Sequence, residues 1–138
     1  MKPAVEEAVE ELRRGLPGHE VRVKEDSDGG AFVIVEGMGL GQAFAPATSW
    51  VGFHVTWPYP DADVYPHFID PKVQYVGSGP APVPSPEGNL PTAMGRGATM
   101  PGFEMPAIQV SRRSNHRNAT TDSALDKLLR VVEFLRRR

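Results

Sequence analysis

Prolines and glycines, 14 of each, punctuate this chain of 138 residues, and many of them fall between residues 58 and 106. Proline lacks the backbone N–H and clashes with the preceding helical turn, and glycine loses more conformational freedom on ordering than any other residue. Neither a helix nor a long central strand is expected through that stretch. Helices are thereby confined to the two ends. A long irregular segment inside so small a domain is usually functional or unstructured.

Both ends carry the helical period. Over residues 4 to 14, Val5, Ala8, Val9 and Leu12 follow the i, i+3, i+4, i+7 spacing, and Pro3 suits a first-turn position. Glu6 and Glu7 lie near the positive end of the dipole and Arg13 and Arg14 near the negative end, with Gly15 expected as the stop. The last helix is expected to open on Thr120 or Thr121 as N-cap and to carry Leu125, Leu128, Leu129, Val132 and Leu135 as its apolar stripe. Arg136, Arg137 and Arg138 sit at its negative end.

Between the helices the period changes to two. Residues His19 to Glu25 alternate, with Val21 and Val23 on one face, and a turn cluster from Asp26 to Gly30 leads into the β-rich run Ala31 to Val35, so the pair reads as a hairpin. Gly37 to Gly41 reads as loop, because it lacks the Lys-Ser/Thr of a phosphate cradle and no helix follows. Trp50 to Trp57 forms a third strand with Val51, Phe53, Val55 and Trp57 on one face, ended by Pro58-Tyr59-Pro60. Lys72 to Val76 is expected as a fourth strand, residues 77 to 106 follow neither period, and Ala107 to Val110 is briefly apolar. The plan is α+β: N-terminal helix, four-stranded antiparallel meander, long irregular loop and C-terminal helix, in one domain over residues 1–138.

Composition narrows the partners. The chain is 40% hydrophobic, enough for one core, and its net charge of −2 leaves no electrostatic footprint for nucleic acid or an anionic membrane. No apolar run approaches the roughly 20 residues that span a bilayer. The acidic, polar start from Met1 to Glu7 does not read as a secretory signal, so the cytoplasm is the expected compartment. With 0 cysteines the chain has no disulfide, thiolate metal site or thiol nucleophile. No cofactor is expected. His54 and His67, taken with Asp61, Asp63 and Asp70, match no compact ligand spacing, and no metal is expected. Ser111 and Ser114 near His116 lack the Gly-x-Ser-x-Gly elbow of an acyl-transfer serine.

One local motif goes further. The third strand closes on Trp57-Pro58 and continues Tyr59-Pro60-Asp61-Ala62-Asp63-Val64-Tyr65-Pro66, with Pro71-Lys72-Val73 after it. Prolines fix φ and hold a tight, unladdered crossing, while Tyr59 and Tyr65 bring rings to pack and hydroxyls to satisfy loop backbone. With the helix–meander–loop–helix order around it, this motif resembles the ubiquitin-conjugating (UBC-like) fold over nearly the whole chain. The segment Ala107-Ile108-Gln109-Val110-Ser111-Arg112-Arg113-Ser114-Asn115-His116, preceded by Pro106, is similar to the Pro-Cys, apolar stretch and Ser-Arg-Arg of bacterial members. On that likeness Ala107 falls where the catalytic cysteine would sit, absent by nature or replaced.

The resemblance implies trans-thioesterification. A cysteine accepts the C-terminal carboxyl of a ubiquitin-like protein from an activating enzyme and passes it to an amine of a target protein. That chemistry needs a thiolate, donors for an oxyanion and a groove for an extended Gly-rich tail. Gly95, Gly97 and Gly102 would permit close backbone approach in that groove. The eukaryotic His-Pro-Asn triplet is missing, and Asn89 lies farther upstream than the family spacing, which favours a turn role for it. Arg112, Arg113, Asn115 and His116 would lower a thiol pKa, hold a C-terminal carboxylate or recognise an acidic partner. The other reading of them is a solvated loop before a helix. Two functions follow: a conjugating enzyme whose cysteine is replaced at Ala107, or a naturally cysteine-free UBC-like module that binds a ubiquitin-like protein or partner enzyme without catalysis.

Overall fold

A computed structural model describes residues 1–77 and 89–138. It is α+β, with helix α1 (Pro3–Gly15) and helix α2 (Ala124–Arg136) enclosing eight strands in the chain order. These are β1 (Val21–Glu25), β2 (Ala31–Gly39), β3 (Phe44–Ala45), β4 (Thr48–Val55), β5 (His67–Ile69), β6 (Gln74–Tyr75), β7 (Met94–Met100) and β8 (Met105–Val110). Six of them form one sheet in the order β1-β2-β4-β5-β8-β7, every neighbouring pair antiparallel, and β3 and β6 make a separate two-stranded ribbon. No helix among the described residues is long and apolar enough to cross a membrane.

The helices lie where the 3.6-residue period places them. Val5, Ala8, Val9 and Leu12 of α1 are buried with Pro3 in the first turn, although the helix runs through Gly15 rather than stopping before it. Gly15 marks the close approach of the two helices, since a Cβ there would overlap the side chain of Leu125. The N-cap of α2 is Ser123 and not Thr120 or Thr121. Ser123 accepts from the Asp126 N–H at 3.1 Å while the Asp126 carboxylate accepts the Ser123 N–H at 3.3 Å, a reciprocal capping box. The threonines belong instead to a turn in which Asp122 N–H donates to the Asn118 carbonyl and the Asp122 carboxylate accepts the Asn118 N–H. The buried stripe is Ala124, Leu128, Val131, Val132 and Leu135, so Leu129 is turned outward and is 46% exposed.

The sheet departs from a four-stranded meander in three places. β2 continues through Gly37 to Gly39 by way of a bulge between Val35 and Met38, where Gly37 takes φ 70°. The fourth strand of the sheet is His67–Ile69, inside the proline-rich crossing, while Gln74–Tyr75 leaves the main sheet to pair with Phe44–Ala45. Residues 94–110, expected to be largely irregular, form the β7–β8 hairpin. Its glycines are accommodated at an edge, where Arg96 and Gly97 are bulged out between the Gly95 and Ala98 pairings and Gly97 has φ 82°. Of the expected loop 77–106, residues 78–88 lie outside the described residues.

Alternation assigns the two faces. Val33, Val35, Val51, Phe53, Val55, Ile69, Ile108 and Val110 join the helices in the main core. Ile34, Phe68, Met100 and Ala107 form a smaller cluster on the other face, flanked by Phe32, Trp50, Ala98, Phe103 and Met105. The tip of the β7–β8 hairpin folds across that second face. Met100 fills the space above Gly52, Gly102 (φ 80°) lies against the Phe32 ring, and Lys24 Nζ donates to the Gly102 carbonyl at 2.9 Å. Trp57 lies beyond the end of β4, 59% exposed, with the Lys2 ammonium 5.2 Å from its ring centre.

Candidate functional site

The richest polar cluster of the described residues joins three separated pieces of chain: the β4–β5 crossing, the segment after β8 and the start of α2. Lys127 Nζ donates to Asp63 Oδ2 at 2.9 Å and to Ser114 Oγ at 2.8 Å. The Ser114 N–H donates to Asp63 Oδ2 at 2.8 Å and its hydroxyl to Asp63 Oδ1 at 3.1 Å. Arg117 adds a guanidinium 3.6 Å from Asp63 Oδ1 and donates to the Pro60 carbonyl at 2.7 Å. Lys127 is only 3% exposed, so its ammonium needs this carboxylate. Tyr59 completes the junction: its hydroxyl accepts the Ala124 N–H at 3.0 Å, satisfying an otherwise orphaned donor at the start of α2.

Burial and pairing oppose each other here. Burial raises the Asp63 carboxyl, but the Ser114 N–H and the Lys127 ammonium outweigh it and leave its pKa below the ordinary value. Burial lowers Lys127, and Asp63 offsets part of that. His67 lies beneath, fully enclosed beside Phe53, with its pKa pushed down to about 3 by burial and by the Lys127 charge. Neither ring nitrogen of His67 has a hydrogen-bond partner among the described residues. Ser114 and Lys127 are close enough for a serine–lysine pair, but an ammonium held on Asp63 has no lone pair with which to take the serine proton. The cluster is a clamp that anchors the segment after β8.

What the clamp holds is an open cleft of about 780 Å³ between residues 112–116 and the outer side of α2. Arg112, Arg113, Asn115 and His116 all line it. The Arg112 guanidinium stacks over Phe134 at 4.8 Å and that of Arg113 over Tyr65 at 3.9 Å. Arg130 is held by Asp122 at 3.1 Å and Arg137 by Glu133 at 2.9 Å.

The remaining expected site residues lie elsewhere. Ala107 is 2% exposed, sits in the middle of β8 opposite Ala98, and packs in the second-face cluster with Ile34, Phe68 and Met100. Gly102 supports the hairpin tip against Phe32, and Gly97 opens onto a shallow depression beside Arg96, Gln109 and Ser111. Gly95 is on the same edge strand, and Asn89 precedes it in irregular chain. His54 and His67 are on opposite faces: His54 bonds Asp26 at 2.6 Å and stacks on Phe32, whereas His67 faces the main core. Among the described residues no group of three or more His, Asp or Glu converges as a metal site.

Asp63, Lys127 and Phe134 were not read from the sequence as site residues. Lys127 carried a usable signal. It falls among Ala124, Leu128 and Val131 in the buried phase of α2, where a lone cation requires a carboxylate from elsewhere. No protein-family profile matches the chain, and no curated protein or solved structure matches it either.

Proposed function

We propose that the chain is a non-catalytic module of UBC-like plan that binds a ubiquitin-like protein. The order of α1, the successive antiparallel ladders β1–β2–β4–β5, the Tyr-Pro crossing between β4 and β5, and the closing helix supports the likeness. One observation carries the choice of binding over catalysis. Ala107 is enclosed within a ladder and an apolar cluster, while Arg112, Arg113, Asn115 and His116 share one open cleft. A thiol in place of the Ala107 methyl would be buried among apolar side chains, which disfavours the thiolate that attacks a thioester.

The test has two arms. Isotope-labelled chain titrated with purified ubiquitin-fold proteins is expected to show saturable shifts around residues 112–116 and α2 with at least one of them. The Ala107→Cys variant, incubated with such a protein, its activating enzyme and ATP, is expected to form no adduct that a thiol reductant removes. A thioester on that variant, or the absence of binding to every ubiquitin-fold protein tried, would overturn the reading.

A further inference from the structure

The cleft between residues 112–116 and α2 has walls that define a ligand more closely than the clamp beneath it does. Its cations are Arg112, Arg113, Lys127, Arg130, Arg137 and Arg138, against two acidic side chains, Asp126 and Glu133. Lys127, Arg130 and Arg137 are already held by Asp63, Asp122 and Glu133. Arg112 and Arg113 lie over rings instead, and among the described residues neither makes an ion pair with a carboxylate. A guanidinium held over a ring keeps N–H donors that can receive a carboxylate with two bonds. Arg138 lies over the same Phe134 ring as Arg112, at 4.3 Å, so two like charges are held on one ring. An anion bound beside them offsets that repulsion.

The same cleft has an apolar component. Leu129 is 46% exposed within it, and Phe134 is half-buried. A continuous phosphate array carries charge along its whole length, against Asp126 and Glu133 as well as against the arginines, whereas a peptide can set its carboxylates at Arg112 and Arg113 and uncharged side chains elsewhere. In an extended peptide, alternate residues share one face about 7 Å apart and the residues between them point to the opposite face, so carboxylates can meet the wall of Arg112 and Arg113 while apolar side chains meet the helix wall. Resting on the reading of the chain as a binding module, we infer that this cleft takes an extended acidic peptide segment of the partner, its carboxylates on Arg112 and Arg113 and an apolar side chain on Leu129 and Phe134.

The probe is a fluorescein-labelled six-residue peptide alternating glutamate and leucine, followed by anisotropy with the full chain. Binding is expected to weaken about tenfold in the Arg112→Glu, Arg113→Glu double variant and to decline as salt is raised from low ionic strength. The Lys72→Glu variant, altered at an exposed position outside the cleft, is expected to bind as the parent does. If the reversed variant fails to fold, the Arg112→Gln, Arg113→Gln form is expected to lose about threefold. Equal binding of the glutamine counterpart of the peptide, tighter binding of a single-stranded oligonucleotide, or affinity unmoved by either double variant would overturn the inference. If ubiquitin-fold proteins bind but the acidic peptide does not, the ligand assignment fails and the binding-module reading stands. If the peptide binds and none of those proteins does, the assignment stands and the module reading fails.

Discussion

The β7–β8 hairpin and the segment that follows it are neighbours in sequence and opposites in use. The hairpin turns its small residues into packing surface: Ala107 faces Ile34, Phe68 and Met100, and Gly102 lets the tip settle on Phe32. The next few residues turn long polar side chains into a cleft wall, fastened from below by Ser114 on Asp63 and Lys127. The comparison separates two reasons for a small residue near a suspected site. Glycine and alanine here make room for protein, whereas the arginines leave donors directed at solvent.

The clamp can be broken directly. Lys127→Ala removes the buried partner of Asp63 and is expected to cost about 3–5 kcal/mol, read from the urea midpoint. The double variant Asp63→Asn, Lys127→Met is expected to recover only part of that loss, because it removes the buried ammonium and carboxylate together but leaves Arg117 without its carboxylate. If Lys127→Ala is as stable as the parent, residues 112–117 are held by something other than this network.

His67 reports whether the core beneath the clamp is dry. Unfolded chain takes up a proton near pH 6.5, whereas the enclosed imidazole does so only near 3. Protonation of the unfolded state therefore draws stability away as the pH falls below 6.5. From this residue the loss is about 3 kcal/mol by about pH 4. Asp26, Asp63 and Asp122 have pKa values lowered from 3.8, so their losses fall mainly at the lower edge of this window and below it. The His67→Phe variant is expected to flatten denaturation midpoints across the window; an unchanged slope would show that the imidazole is reached by water.

The hairpin side of the comparison is sharpened by two glycines with nearly the same backbone. Gly102 and Gly97 have φ 80° and 82°, but a Cβ at Gly102 would overlap Phe32 while one at Gly97 meets open space. Gly102→Ala is expected to cost about 2–3 kcal/mol and Gly97→Ala about 1 kcal/mol, by thermal or urea unfolding. Equal losses would mean that backbone conformation alone decides both positions and that the hairpin tip is not docked.

Much of the frame was legible in the chain. Val5, Ala8, Val9 and Leu12 announce α1, and Val51, Phe53 and Val55 announce β4, because periodicity reflects which side of an element faces the core. The phase of α2 was legible only in part, since Leu129 is as apolar as Leu128 and no local rule says which faces the cleft. A strand over Lys72 to Val76 was legible and β6 lies within it, but β5, β7, β3 and the pairing of β6 with β3 were not. They are short or glycine-rich, and their pairing energy comes from partners distant in sequence. Of the candidate site, Arg112, Arg113, Asn115 and His116 were read as a group, and the structure gathers them in one cleft.

An α+β chain with a helix at each end, strands between them, a tight Tyr-Pro crossing and no thiol follows from local period, proline chemistry and residue inventory alone. That Ala107 is enclosed, and that Asp63, Ser114 and Lys127 meet beneath the arginines, emerges only in the folded chain. Those facts depend on strand register and on which face of α2 turns inward. Both are settled by the packing of the whole core, which no short window of sequence contains.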